Sequence, residues 1–201
     1  MYKIAFKFCF ILFAIVFASS CKEKNQEVNE KLILNKDSFS LALENQFNRW
    51  TVLVCQDQLM YMDTLKTFYK GRNYKPMWWD AILGDSAAWA NLETTFKYSE
   101  HHGMDYRYYY LPLVDYYRKK ILLLSTQDSA FKIMTELELI ISNSMLRMYK
   151  DIANGRSNPK TVYGYIYMLP RNNWKRMDYA DFLTTPDKPI FLEQIHKNDT
   201  T

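Results

Sequence analysis

The stretch from Asp128 to Pro159 constrains the fold of this chain more than any other. Its apolar side chains recur at steps of three and four residues: Ala130, Ile133, Met134, Leu137, Ile140, Ile141, Met145, Met148 and Ile152. This spacing places them on one face of an α-helix, which we predict to run from Ser129 to Asn154. Asp128 or Ser129 can cap its start, Gly155 can end it in a left-handed conformation, and Pro159 prevents it from resuming. Burial of so wide a face makes this helix the expected organiser of the core.

Four shorter segments show weaker helical patterns, at 38–50, 56–69, 86–102 and 106–125. The first is predicted to bury Leu41, Ala42, Phe47 and Trp50. Asp85 or Ser86 starts the third, which Gly103 ends. The fourth is predicted to bury Leu113, Tyr116, Tyr117, Ile121 and Leu124. We therefore expect a mainly α fold, an irregular helical domain organised on one long amphipathic helix.

The first 20 residues resemble a secretory signal. Lys3 and Lys7 supply the positive charge, and the apolar run at 8–18 is shorter than the roughly 20 residues that a membrane-spanning helix needs. Cys21 follows Ala18-Ser19-Ser20 and resembles the first mature residue of a bacterial lipoprotein, so we predict lipidation of Cys21. Ordinary secretion is the alternative. We expect a signal at 1–20, the lipidated cysteine with a tether at 21–36, and a folded domain at 37–201.

The formal charge of +4 is too small to predict a nucleic-acid partner. Once the signal and Cys21 are set aside, Cys55 is the remaining thiol, and it is interpreted as a buried hydrophobic side chain rather than as a nucleophile. His101 and His102 are adjacent, so their side chains diverge on a helix, and no metal or other cofactor is expected. Glu136 and Glu138 lie two residues apart on the long helix and are predicted to be surface charges.

The segment Tyr69–Asp80 is dense in aromatic residues and contains one proline. Arg72 among these rings can stack on them while its guanidinium binds carbonyls or carboxylates. One interpretation is a platform that binds a sugar or a peptide. The other, which we favour, is a structural turn held in the core by its aromatic side chains.

Three short motifs in order resemble the scaffold domain that precedes the catalytic domain in large, multi-domain bacterial L,D-transpeptidases. The first motif comprises Phe68, Tyr69, Arg72, Tyr74, Pro76 and Trp78. The second is a helix ending in His102, Gly103 and Met104, followed by Tyr106 and by Tyr108 to Tyr110. The third is an amphipathic helix with a late tyrosine and a glycine–arginine–proline ending, here Tyr149, Gly155, Arg156 and Pro159.

The resemblance implies a role in peptidoglycan cross-linking, where a 3-3 bond joins two diaminopimelate residues. The family's catalytic signature is a Ser-His-Gly-Cys run, which these 201 residues lack. We therefore carry over no catalytic residue and expect the chain to be inactive alone. It is interpreted as a truncated product, the first half of a split gene, or a free-standing scaffold.

Three functional hypotheses follow from the sequence. The first is a lipid-anchored scaffold in the cell envelope, facing the periplasm, whose partners are peptidoglycan or a separate catalytic chain. The second is a non-enzymatic envelope lipoprotein that binds glycan or a protein partner through the rings around Tyr74 and Trp78. A third is an unrelated lipoprotein whose resemblance arises by chance.

Overall fold

The computed structural model describes residues 32–48, 59–156, 164 and 178–197. These residues are 76% helical and contain no strand, which confirms the mainly α fold. The α-helices are α1 (Lys36–Asn48), α2 (Met62–Gly71), α3 (Trp79–Ile82), α4 (Ser86–Lys97), α5 (Leu111–Ile121), α6 (Gln127–Asn154), α7 (Tyr179–Thr184) and α8 (Lys188–Lys197). Two 3₁₀ helices, Tyr98–His102 and Tyr106–Tyr109, join α4 to α5.

The helix α6 lies at the centre of the fold. It contacts α1, α2, α3, α5, α7, α8 and both 3₁₀ helices. Of the nine apolar residues in its predicted stripe, all are buried except Ile133, which is half-buried. Every residue from Met134 to Leu146 is buried, so neighbouring elements enclose the middle of this helix on all sides. The predicted organiser of the core is confirmed, and its enclosure goes beyond a single buried face.

Both ends of α6 differ in detail from the prediction. The helix begins at Gln127, two residues earlier than predicted, and follows an extended Thr126 with φ −122°. Thr126 holds the N-cap position, so Asp128 and Ser129 lie within the first turn and do not cap the helix. The Thr126 hydroxyl donates a hydrogen bond to Ser129 Oγ at 2.8 Å. Gly155 ends the helix at a positive φ of 73°, as predicted, but its ψ of 150° lies outside the left-handed helical region.

The predicted buried faces of α1 and α5 are partly wrong. Leu41 is 60% exposed, whereas Phe39, Leu43 and Phe47 are buried. In α5 the buried residues are Leu111, Val114 and Ile121, and the predicted Tyr116 is 60% exposed. Both helices are short and carry apolar residues on more than one face, so the pattern alone does not select the face that packs.

The start of α4 and the end of the following 3₁₀ helix are confirmed. The Asp85 side chain accepts a hydrogen bond from the Ala88 N–H at 2.7 Å. Gly103 adopts the left-handed conformation (φ 71°, ψ 20°), and its N–H donates to the Glu100 carbonyl at 3.0 Å. Local rules for helix ends therefore hold where the termini are solvent-exposed.

Gly103→Ala is expected to lower the free energy of unfolding by about 1 kcal/mol, because an L side chain is strained at positive φ. Nothing lies within 4 Å of the added Cβ, so the cost is conformational rather than steric. Gly71→Ala is the matched control, since its Cβ also meets open space but its φ is not positive. We expect it to be neutral or stabilising by up to about 0.5 kcal/mol. Urea unfolding measures both, and equal losses in the two variants would contradict the argument.

The described helices all fall in one compact unit, Leu32–Thr201. Leu32 and Leu34 precede α1 and pack against the core as half-buried residues. In the part of the chain that the structure describes, no helix combines the length and apolar content needed to span a bilayer.

Candidate functional site

The turn after α2 carries the first sequence motif and has an unusual backbone. Asn73 and Tyr74 adopt positive φ angles of 54° and 53°. The chain turns back at Tyr69, whose carbonyl accepts from the N–H of Arg72 at 3.1 Å and of Tyr74 at 2.8 Å. A left-handed conformation costs a residue such as tyrosine about 1–2 kcal/mol. Contacts from the rest of the fold must therefore hold this turn in place.

Glu138 on α6 supplies those contacts. Its Oε1 accepts hydrogen bonds from the Tyr69 hydroxyl at 2.7 Å and from the Met77 N–H, and its Oε2 accepts from the Trp78 N–H at 3.1 Å. The side chain is fully buried. Three donors from α2 and the turn therefore converge on one carboxylate in the core.

Ser142 lies one helical turn after Glu138 and extends the same network. Its Oγ contacts the Tyr69 hydroxyl at 2.7 Å and accepts from Trp78 Nε1 at 2.8 Å. Lys188, at the start of α8, places its Nζ 5.3 Å from the Trp78 ring centre and donates to the Thr185 carbonyl at 2.9 Å. We call Glu138, Ser142, Tyr69 and Trp78 the Glu138 network.

Burial dominates the electrostatics of this network. It raises the pKa of Glu138 from 4.5 to about 7, although the three hydrogen bonds and the Arg72 charge act in the opposite direction. Burial and the nearby Glu138 carboxylate raise the pKa of Tyr69 well above its ordinary value, so its hydroxyl remains a donor. Burial also lowers the pKa of Lys188 to about 8. Glu138 is therefore close to its titration midpoint at neutral pH.

The aromatic rings of this segment face the core. Trp78 and Trp79 each expose only 8% of their surface. The Tyr74 ring packs 5.9 Å from Phe47 of α1, and the Arg72 guanidinium lies 5.4 Å from the Phe68 ring. This geometry supports the interpretation as a structural turn and leaves little ring surface for a glycan.

The second motif also bonds to α6. The half-buried His102 ring lies 5.3 Å from Tyr98, just before the left-handed Gly103. Tyr109 is buried, and its hydroxyl donates to Asp151 Oδ2 at 3.1 Å and contacts Met104 Sδ at 3.1 Å. Burial and the Asp151 charge raise the pKa of Tyr109.

The third motif joins α6 to the C-terminal helices. Tyr149 stacks on Phe182 with ring centres 4.7 Å apart and contacts Tyr179 and Phe191 edge-on. The Arg156 guanidinium lies 3.8 Å from the Tyr108 ring, which links the end of this motif to the second one. Pro159 lies outside the described residues. The described residues of all three motifs therefore stabilise packing on or around α6.

The prediction that Glu136 and Glu138 are surface charges is wrong. Glu138 is fully buried and Glu136 is 7% exposed. Ser142 and Asp151, which are also partners of the motifs, are not among the predicted site residues. The available signal was the i, i+4 pair Glu138 and Ser142 on either side of the apolar run 139–141, which puts two polar groups on one face of the helix.

One open groove of about 430 Å³ lies beside α4 and α5. It is lined by Trp89, Glu93, Lys97, Tyr106, Leu111, Pro112, Asp115, Arg118 and Lys119. Its charged groups pair with one another: Glu93 with Lys97 at 2.7 Å, and Asp115 with Arg118 and Lys119. Arg118 also stacks on Trp89 at 4.1 Å. Each of these charged groups therefore has an ion-pair partner within the protein, although Arg118 Nε is buried without a hydrogen-bond partner.

Two further groups of candidate residues concern metal and thiol chemistry. Among the described residues, no three His, Cys, Asp or Glu side chains are placed to hold a metal ion. Cys21 and Cys55 lie outside the described residues, so the lipidation and the interpretation of the thiol remain predictions.

Comparison with known proteins gives one match. A family model described as "Scaffold domain" matches residues 63–198, which begins in α2 and includes the Glu138 network, the Tyr109–Asp151 pair and the Tyr149 cluster. No curated protein and no solved structure matches the chain significantly. Because the family match covers about two thirds of the 201 residues, the chain belongs to the Scaffold domain family.

Proposed function

We propose that this chain is a lipid-anchored scaffold in the cell envelope that supports L,D-transpeptidase-type cross-linking of peptidoglycan without catalysing it. The observation that carries the proposal is membership of the Scaffold domain family, together with the convergence of three motifs on one buried helix. Those motifs resemble the scaffold domain of large L,D-transpeptidases. The chain therefore resembles that family in its scaffold domain and not in its catalytic site.

Transpeptidation requires a thiolate that accepts an acyl group and a base that activates it. These 201 residues contain no Ser-His-Gly-Cys run. In the described part of the chain, the groups with the largest pKa shifts are buried in packing contacts. This function therefore needs a catalytic group that lies outside these 201 residues.

Deletion of the gene in its source cells is expected to lower the fraction of 3-3 cross-linked muropeptides at least about twofold, because a catalytic partner loses its support. Muropeptide chromatography with mass spectrometry measures that fraction. Re-expression of the natural chain should restore it, and so should the Ile190→Ser variant, which alters a residue that is 52% exposed. An unchanged 3-3 fraction in the deletion would contradict the proposal.

The purified chain alone is expected to form no 3-3 dimer from tetrapeptide muropeptides. Turnover that disappears with Cys55→Ala would identify the chain itself as the enzyme. Anchoring is tested separately, since a fatty-acid label should appear on the natural chain and be lost with Cys21→Ser.

The alternative of a glycan-binding lipoprotein is tested on purified sacculi. Retention of the chain on sacculi, with loss in Tyr74→Ala but not in a Tyr116→Ala control, would favour that function. The burial of Trp78 and Trp79 argues against it.

A further inference from the structure

The C-terminal end of α5 exposes an unusual pair of leucines. Leu122 is 60% exposed and Leu123 is 85% exposed. Ile33, Leu41, Met60, Tyr108, Tyr116 and Ile190 are the other large hydrophobic residues that are exposed in the described part of the chain. Leu122 and Leu123 are the one pair among them that is adjacent in sequence.

The helical geometry continues past the end of α5 and places Leu123 on one face with other exposed residues, while Leu122 lies beside that face. Leu122 keeps helical angles (φ −65°, ψ −12°), and the Leu123 N–H donates to the Lys120 carbonyl at 3.1 Å. Tyr116, Lys120 and Leu123 then stand at positions i, i+4 and i+7 of one face, and Lys119 lies beside them. We call Tyr116, Lys119, Lys120, Leu122 and Leu123 the α5 tip.

Positive charge dominates the sequence around the tip. Residues 115–123 contain three cationic side chains and one carboxylate, Asp115. Lys120 is exposed, and the Lys119 side chain remains 66% exposed although it pairs with Asp115. Protein–protein interfaces are depleted in lysine, whereas helices that lie in a membrane interface combine leucines and aromatic rings with Lys and Arg. The charge and composition of the tip therefore fit anionic lipid headgroups.

We propose that the α5 tip docks the domain on an anionic lipid bilayer. Leu122 and Leu123 enter the boundary between headgroups and acyl chains, Tyr116 lies at the headgroup level, and Lys119 and Lys120 contact the phosphates. The inference rests on the proposed function in one respect, because the predicted anchor at Cys21 would keep the domain near a membrane. The tip then sets which face of the domain meets that membrane.

The test uses the chain from residue 22 onward, which contains the whole compact unit Leu32–Thr201 and has no acyl chain. Co-sedimentation with equimolar phosphatidylglycerol–phosphatidylcholine vesicles is expected at low salt, with little binding to phosphatidylcholine alone. The charge variant Lys119→Gln/Lys120→Gln should weaken binding roughly tenfold or more, as should the apolar variant Leu122→Ser/Leu123→Ser. All four side chains are exposed or mostly exposed, so these variants should fold.

Matched controls distinguish binding through the α5 tip from binding through the overall charge or apolar surface of the protein. Lys66→Gln/Lys70→Gln removes two exposed lysines four residues apart on α2, and Ile190→Ser removes an exposed apolar residue of α8. Both should bind the anionic vesicles like the natural chain. Absence of vesicle binding, or equal losses in tip and control variants, would overturn the inference. So would a dimer that the Leu122→Ser/Leu123→Ser variant dissociates, since a second copy would then cover the tip.

This experiment is independent of the test of the proposed function. Vesicle binding concerns the unacylated domain, whereas muropeptide analysis concerns cross-linking in cells. Failure of one assay with success of the other identifies which proposal is wrong.

Discussion

Glu138→Ala is expected to lower the free energy of unfolding by about 3–5 kcal/mol at neutral pH. The change removes the acceptor for the Tyr69 hydroxyl and for the backbone N–H groups of Met77 and Trp78. Each orphaned donor lies in or beside the core, where an unmade hydrogen bond costs about 1–3 kcal/mol. The turn with two positive φ angles loses its main restraint in the same step. Urea unfolding followed by circular dichroism measures the loss.

Glu138→Gln and Asp80→Ala are the controls. Glutamine keeps one acceptor oxygen and the volume of the side chain, so we expect a loss of only about 1–2 kcal/mol. Asp80 forms an ion pair with Lys36 in which the Asp80 side chain is 64% exposed and the Lys36 side chain is 54% exposed. Removal of the Asp80 carboxylate should therefore cost less than about 1 kcal/mol. An alanine variant at Glu138 as stable as the one at Asp80 would show that the network does not hold the turn.

The pH dependence of stability tests the same carboxylate in a second way. Its folded pKa is about 7, against 4.5 for the ordinary value, so the folded protein binds a proton that the unfolded chain releases between these pH values. The Glu138 contribution is therefore fully present below pH 4.5 and is lost as pH rises through 7, by about 3 kcal/mol in total. The stability difference between the natural chain and Glu138→Gln should fall by about that amount from pH 5 to pH 8. A difference that stays constant over this range would contradict the shift.

Tyr149→Ala is the second change with a large expected effect, a loss of about 3–5 kcal/mol in the free energy of unfolding. The Tyr149 ring is 7% exposed and contacts Tyr179, Phe182 and Phe191 at once. Removing the ring leaves a cavity at the junction of α6 with α7 and α8. The short helices α7 and α8 depend on packing for stability, because isolated helices of this length are marginal in water. Chymotrypsin should therefore cleave near Phe182 and Phe191 at concentrations that leave the natural chain intact.

Tyr149→Phe keeps the stacked ring and loses only the hydroxyl, so it should cost about 1 kcal/mol or less. Met148→Leu is a second control on the same helix, since it preserves the volume of a fully buried side chain. Equal protease resistance of the natural chain and Tyr149→Ala would mean that contacts other than this ring hold the C-terminal helices.

The sequence determined the features that depend on neighbours along the chain. The three- and four-residue steps of α6, the Asp85 cap of α4 and the left-handed Gly103 all follow from local geometry, and the structure confirms them. The buried faces of the short helices do not follow from local geometry. Leu41 is as apolar as its buried neighbours, and Tyr116 carries the same large ring as the half-buried Tyr117, so only the packing partner decides which face turns inward.

The tertiary structure decided the environment of Glu138. A carboxylate on an amphipathic helix is ordinarily solvated, and local sequence does not show that α2 and its following turn, at least 60 positions away, supply a tyrosine hydroxyl and two N–H groups. The same holds for Asp151, which meets Tyr109 only because the 3₁₀ helix Tyr106–Tyr109 packs against α6. The periodicity of apolar residues shows which side chains share one face of a helix, whereas the burial of that face depends on which other segments pack against it. The sequence therefore predicts the central helix α6, but it does not predict the polar contacts that bind the family motifs to that helix.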